Sequence, residues 1–283
     1  MTYLYMRMNL NYSEKKLFDM MYEAGEIARE YFMSHKDIDY NIKKDDTPVS
    51  EADIAIDKFI KIYIKNNFPT ASILSEEDSE DNQLKIIDSD ELFIIDPIDG
   101  TDSFITGGKY FTVNISYLHD NHLIFSVIYA PMLDLMMYAD EHSTYEISKK
   151  NDNYQKNKIT NDSINKNINQ KLRIITTRRS DEILEIKLYL KSLRISYNLV
   201  HYSSSIKFCY IANDKADMYI RKANIRIWDV TAGFHMANNS GCCIQDTRKE
   251  NLYSYFLQKD YLKKISSNNF RVEEFVIAKK GLF

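Results

Sequence analysis

The chain is poor in the residues that punctuate and cross-link small folds. Its 283 residues include only seven Gly, four Pro, three Cys and one Trp. The cysteines are Cys209, Cys242 and Cys243, an odd count with two adjacent and no C-x-x-C pair. That excludes a disulfide framework and points to a reducing compartment. No apolar run reaches the length of a membrane span. The start, MTYLYMRMNLNYSEKK, has no apolar stretch followed by a cleavage site, so a cytoplasmic protein is expected. Net charge is −4, so no general basic character suggests nucleic-acid binding. The abundance of Tyr, Lys, Ile and Asn reads as compositional drift and carries no functional signal. What is present is an ordinary globular allotment, 44% hydrophobic, enough for a sizeable core in one layered domain or two lobes sharing an interface.

Periodicity gives the elements. Residues 12–33 carry apolar side chains at Leu17, Met20, Met21, Ala24, Ile27, Ala28 and Tyr31, a helical spacing with Ser13 as N-cap. A second helix starts at Ser50, with Asp53 near its beginning. A short strand over 71–74 delivers Glu76, and a buried strand over 92–95 follows. Runs at 111–116, 123–129 and 135–138, separated by turns at Asp120-Asn121 and Pro131, predict an antiparallel meander. Residues 149–171 are nearly all Lys, Asn, Asp, Gln and Ser and predict an exposed connection. Beyond it strands at 172–176, 197–201, 216–220 and 275–278 alternate with helices at 180–193, 204–212 and 228–239, an α/β pattern. The expected division is an N-terminal α+β lobe over 1–148, the polar connection, and a C-terminal α/β lobe over 172–283.

The chemistry-bearing stretch is LFIIDPIDGTDSFITG, residues 92–107. The apolar strand runs into Asp96, Pro97, Ile98, Asp99, Gly100 and Thr101. Pro97 fixes φ and Gly100 permits a sharp turn, so the chain bends and brings two carboxylates toward one point. Like charges held together repel, and a hard divalent cation compensates them most cheaply. Alone, a D-P-x-D-G run reads as a solvated turn. Here Ser75-Glu76-Glu77-Asp78 lies upstream and Trp228-Asp229 downstream.

DPIDGT, the upstream SEED and the downstream WDVTAG together resemble the inositol monophosphatase superfamily of Mg²⁺-dependent, lithium-sensitive phosphatases. The resemblance implies a layered α-β-α-β-α sandwich of the sugar-phosphatase (inositol monophosphatase / fructose bisphosphatase) type. It implies two or three Mg²⁺ ions held by Glu76, Asp96, Asp99, Asp229 and the carbonyl of Ile98. It implies a water positioned by Thr101 and Asp53, with Glu76 also catalytic, and Asp53 lying in KKDDTPVSEAD. Backbone N–H groups of Gly100, Thr101 and Asp102 would face the phosphate, with Asp229 also lining the substrate.

Four further blocks, FTVNISYL, VIYAPMLDLMMYA, SSSIKFCYIANDKADMYIRKANIRIWDVTAG and Gly-Cys-Cys-Ile-Gln-Asp, resemble the bacterial 3′(2′),5′-bisphosphate nucleotidase branch, linked to sulfur metabolism. By that resemblance Ser204, Ser205, Lys207 and Arg221 contact the nucleotide, and the substrate is adenosine 3′,5′-bisphosphate. A second phosphate suits a Lys point charge and an Arg fork. No acid lies between Arg221 and Trp228, where inositol monophosphatases place one. Ser203 stands where the branch carries Gly, and Asp102-Ser103 where it carries Lys-Glu. The alternatives are a phosphatase acting on inositol phosphate, histidinol phosphate or a sugar phosphate, or an inactive nucleotide-binding protein. A monomer or homodimer is expected, with peripheral inner-membrane association implied by the branch alone.

Overall fold

The computed structural model describes residues 13–34, 40–43, 48–86, 89–160, 171–178, 180–222, 225–246 and 248–282. Helix α1 (Glu14–Ser34) starts where Ser13 Oγ accepts the backbone N–H of Lys16, the N-cap that the sequence predicts. The short strands β1 (Tyr40–Ile42) and β2 (Pro48–Ser50) pair and lead into helix α2 (Glu51–Asn67). Ser50 and Asp53 cap α2 reciprocally. Then come β3 (Ser72–Ser75), helix α3 (Glu80–Lys85), β4 (Glu91–Asp99) and the short helix α4 (Thr101–Ile105). The meander follows as β5 (Thr112–His119), β6 (His122–Ala130), β7 (Leu135–Asp140), β8 (Thr144–Lys150) and β9 (Asn153–Ile159).

Strands β3 to β9 form one seven-stranded sheet in sequence order. β3 and β4 are parallel, and every later pair is antiparallel. Side chains alternate across it, as strand geometry requires. Phe93, Ile95, Val113, Ile115 and Tyr117 pack with α1 and α2 on the outer face. Leu92, Ile94, Leu118, Ile128 and Met137 face the other way, into the middle of the molecule.

The second half supplies β10 (Leu172–Thr176), helix α5 (Ser180–Ser192), β11 (Tyr197–His201), helix α6 (Ile206–Ala212) and β12 (Met218–Arg221). It continues with β13 (Ile225–Arg226), helix α7 (Ile227–Asn239), β14 (Cys242–Asp246), helix α8 (Lys259–Ser266), β15 (Arg271–Val272) and β16 (Phe275–Lys279). Five of these strands form a mixed sheet in the order β11-β10-β12-β16-β14. α5 packs Ile186 and Leu190 on its outer face. α6 and α7 lie between the two sheets and join both to one core. A helix buried between layers is apolar all round, and α7 buries ten of its 13 residues. At Gly233 an added Cβ would lie 2.1 Å from the Phe208 ring, so α6 and α7 approach as closely as they do only with glycine there. The layers run helix, sheet, helix, sheet, helix, the sandwich that the resemblance implies.

One expectation needs correction. Residues 149–159 were expected in an exposed polar connection, yet they complete β8 and form β9, an antiparallel pair with Lys150 opposite Asn153. Tyr154 anchors one face of β9 by packing against Phe18 and Tyr22, Ile159 packs against the central core on the other, and Lys156 pairs with Glu14 over the Tyr145 ring. Residues 161–170 of that connection, and 44–47 of the segment before Asp53, lie outside the described residues. The helix expected over 204–212 begins at Ile206, because Ser204 takes a positive φ of 55° and turns the chain before it. Helices α3 and α8 and strand β14 were not among the expected elements, although α8 carries Tyr261, Leu262 and Ile265 at helical spacing.

Candidate active site

The site forms where β3 and β4 end against the start of α7. Ile94 and Asp96 alternate onto the inner face of β4. Between Asp96 and Asp99 the pairing with β5 shifts register, so the strand bulges through Pro97. Gly100 then takes φ 91°, and an added Cβ would meet Ser204 Cβ at 3.1 Å and the Tyr110 carbonyl at 3.2 Å. The bend predicted at Pro97 and Gly100 is therefore built from both features.

Carboxylate oxygens of Glu76, Asp96 and Asp229 come within 4.8 Å of one another. Glu76 follows β3, Asp96 lies in β4, and Asp229 is the third residue of α7, accepting the Arg226 N–H at 2.9 Å. Asp96 is fully buried, and neither of its oxygens has a hydrogen-bond partner among the described residues. Burial raises its pKa well above the carboxylate range, and Glu76, Asp99, Asp229 and Asp53 add to the shift. Burial, then Asp99 and Glu76, push Asp229 up to about 8. Glu76 is raised too, chiefly by burial. An unpaired buried carboxylate costs several kcal/mol, roughly, and a neutral hydrogen bond returns only about 1 kcal/mol, so such a cluster takes up protons or a cation. The donor set is all oxygen, which fits a hard divalent ion. Asp99 stands apart from the three: it accepts hydrogen bonds from Ser205 Oγ and from Asn114 Nδ2.

Thr101 Oγ1 donates to the Ile98 carbonyl at 3.0 Å and reaches Asp53 Oδ1 at 3.3 Å. The other Asp53 oxygen accepts the Ser50 N–H and hydroxyl, so the α2 cap holds this carboxylate behind Thr101. Burial raises Asp53, and its Ser50 bonds oppose the shift.

A cavity of about 510 Å³ opens in front of the acids. Glu76, Ile98, Asp99, Gly100, Thr101 and Asp102 line one side, with Asp229 at the α7 end. Ser204, Ser205, Lys207, Tyr219 and Arg221 line the other. Ser205 Oγ links the sides, bonding to Asp99 and to the Asp229 carbonyl. Lys207 is 5% exposed and donates to the Ser204 carbonyl. Burial lowers its pKa to about 8, Arg221 adds to that, and Asp99 opposes it. Arg221 is buried against Glu182, with Nη1 3.5 Å from Oε1. Asp53 and Asp96 are thus behind the lining, and every other sequence-selected residue is on it.

Four neighbours were not selected from the sequence. Lys43 pairs with Glu76 at 3.3 Å and Glu77 at 2.8 Å. Burial works to lower the Lys43 pKa, but the two carboxylates outweigh it and the net shift is upward. Asn114 Nδ2 donates to Ser205 Oγ at 3.1 Å. Its signal was available, since the meander predicts β5 beside β4. Arg178 and Glu182, around the start of α5, carried none.

A layered α/β protein with a cation-ready carboxylate cluster facing a cationic wall, between two sheets, is a recognisable class. Comparisons with known proteins identify it. The inositol monophosphatase family model matches residues 12–274. The 3′(2′),5′-bisphosphate nucleotidase CysQ of Salmonella typhimurium is 30% identical over 229 residues, covering 81% of this chain and 88% of that protein. The protein of the same name from Buchnera aphidicola is 30% identical over 237 residues, covering 84% and 85%. The crystal structure of CysQ from Bacteroides thetaiotaomicron superposes with a TM-score of 0.72 at 24% identity, covering 96% of this chain and 99% of that one. The chain belongs to the inositol monophosphatase family. No helix among the described residues is long and apolar enough to cross a membrane.

Proposed function

We propose that the chain is a Mg²⁺-dependent 3′(2′),5′-bisphosphate nucleotidase that hydrolyses the 3′-phosphate of adenosine 3′,5′-bisphosphate to AMP and phosphate. The observation that carries this reading is the pairing, in one cavity, of an acidic cluster with two buried cations. A volume of about 510 Å³ lies within the range of small-ligand sites, roughly 300–1,000 Å³. The acids alone would suit any phosphate monoester. Lys207 and Arg221 add positive charge that a neutral polyol does not require, and the nucleotidase relatives point the same way.

Glu76, Asp96, Asp99, Asp229 and the Ile98 carbonyl would hold the metal. When bound, Mg²⁺ supplies charge compensation for the phosphate and lowers the pKa of the attacking water. The chain's own residues do the rest. Thr101 directs its hydroxyl hydrogen toward Asp53 and the Ile98 carbonyl, which leaves its oxygen lone pairs to accept from a water and aim it. Asp53, held by the α2 cap, keeps that hydroxyl oriented. Backbone N–H groups at Gly100, Thr101 and Asp102 would meet phosphate oxygens, since the first N–H groups of a helix lack intrahelical partners. Water adds to phosphorus, the bond from phosphorus to the ribose 3′-oxygen breaks, and that oxygen leaves with a proton. Ser204, Ser205, Lys207 and Arg221 orient the nucleotide, Lys207 and Arg221 through its 5′-phosphate.

Phosphate release from adenosine 3′,5′-bisphosphate and inositol 1-phosphate, measured side by side with and without Mg²⁺, tests the proposal. A strong Mg²⁺-dependent preference for the nucleotide is expected. Preference for inositol phosphate would overturn the substrate assignment, and release from neither would overturn the activity.

A further inference from the structure

The geometry points to Glu182 as a positioning residue that holds Arg221 for the second phosphate of the substrate, an inference that rests on the bisphosphate reading above. Helix α5 begins just after Thr177 and Arg178, which line the cavity. Glu182 lies in its first turn and is 3% exposed. One carboxylate oxygen, Oε2, accepts the backbone N–H of Lys222 at 3.0 Å. The other, Oε1, is buried 3.5 Å from Arg221 Nη1 and has no hydrogen-bond partner among the described residues. The same carboxylate therefore grips the chain beside Arg221 and faces its guanidinium.

A carboxylate is rarely buried without a charged partner, because losing water costs it more than packing returns. Here the charge has a use. Lys207 and Arg221 repel across the same wall, and Glu182 offsets that repulsion from behind. Asp99 and Asp229 face Lys207 from the acidic side, and Asp229 also faces Arg221. A guanidinium carries five N–H donors in one plane. The ion pair restrains Arg221 at the cavity wall, so less side-chain freedom is lost when a phosphate arrives. Nothing in this arrangement touches the reacting phosphorus. Glu182 acts through Arg221, and its effect belongs to the non-reacting phosphate.

The test compares Glu182→Gln with wild type, in Mg²⁺, on adenosine 3′,5′-bisphosphate and adenosine 3′-monophosphate. The two substrates share the scissile bond and differ only in the 5′-phosphate. The ratio of bisphosphate KM to monophosphate KM is expected to rise roughly tenfold, the scale of one weakened charge-assisted contact. Arg221→Gln is expected to raise the same ratio, with Glu182→Gln adding little in that background, as for residues acting through one another. Glu182→Asp, which keeps the charge, serves if the Gln variant does not fold, and a smaller rise in the ratio is expected. Equal KM changes on both substrates would reduce Glu182 to a structural role, a fall in the ratio would make it a competitor for Arg221, and full additivity would separate the two residues; each overturns the inference. A wild type that prefers the bisphosphate while the variants leave the ratio unmoved sinks this inference alone. A wild type without that preference sinks the parent reading and this inference together.

Discussion

The two sides of the cavity are charged in opposite sense and satisfied to opposite degrees. On the acidic side Asp96 is buried with neither oxygen hydrogen-bonded among the described residues, and its neighbours Glu76 and Asp229 repel it. On the basic side Lys207 donates to backbone carbonyls and Arg221 faces Glu182. Charge left unsatisfied requires an external partner of opposite sign, whereas charge already seated is preorganised for a ligand that arrives complete. On the proposed reading, chemistry common to all phosphate monoesters falls to the acidic side and choice among them to the basic side.

The sharpest break of this division is Asp96→Asn. It is expected to lower kcat/KM by about a thousandfold or more, on mono- and bisphosphates alike, because it removes charge from the cluster that would hold the metal. Mg²⁺ is expected to raise the melting temperature of the wild type and to leave that of the variant unchanged, since ligand binding stabilises only through affinity for the folded state. A variant that keeps near-wild-type turnover would put the chemistry elsewhere.

Thr101→Ala comes next. Loss of a water-orienting hydroxyl is expected to lower kcat about a hundredfold with little change in KM, the scale of a positioned proton-handling group. Steady-state kinetics on both substrates check it. A change confined to KM would move Thr101 from the reaction to binding.

The smallest effect tests the basic side by pH. Burial lowers the Lys207 pKa to about 8 from its ordinary value near 10.5. The ammonium is therefore present below pH 8 and lost as pH rises through it. For folding the sign is reversed: the folded state binds fewer protons than the unfolded state between those values, so this group's penalty on stability shrinks as pH rises. For binding, the KM for the bisphosphate is expected to climb above about pH 8, and Lys207→Gln is expected to flatten that limb. A limb of equal slope in the variant would assign the titration to another group.

The acidic side was far more legible than the basic one. Asp96, Pro97, Asp99 and Gly100 are neighbours in sequence, and a proline, a glycine and two carboxylates announce a bend, whose chemical purpose came from the family resemblance carried together with SEED and WDVTAG. Glu76 was readable through the same resemblance, as part of SEED at the end of a strand. The supporting contacts span long separations: Asn114 and Ser205 are 91 residues apart, and Glu182 and Lys222 are 40 apart. No local pattern encodes such pairs. The layered fold was legible where periodicity was strong, in α1, α2 and β4 to β7. It failed at β9, where a polar edge strand needs only Tyr154 and Ile159 to anchor it, and composition alone reads as loop.

The most direct test of the division between the two sides is Arg221→Gln, followed through kcat/KM on adenosine 3′,5′-bisphosphate and adenosine 3′-monophosphate in Mg²⁺. The account predicts a loss of roughly ten- to a hundredfold on the bisphosphate and little on the monophosphate, the worth of a charge-assisted phosphate contact. Equal losses on both substrates would contradict it, because Arg221 would then serve the reaction common to both and the basic side would set no preference.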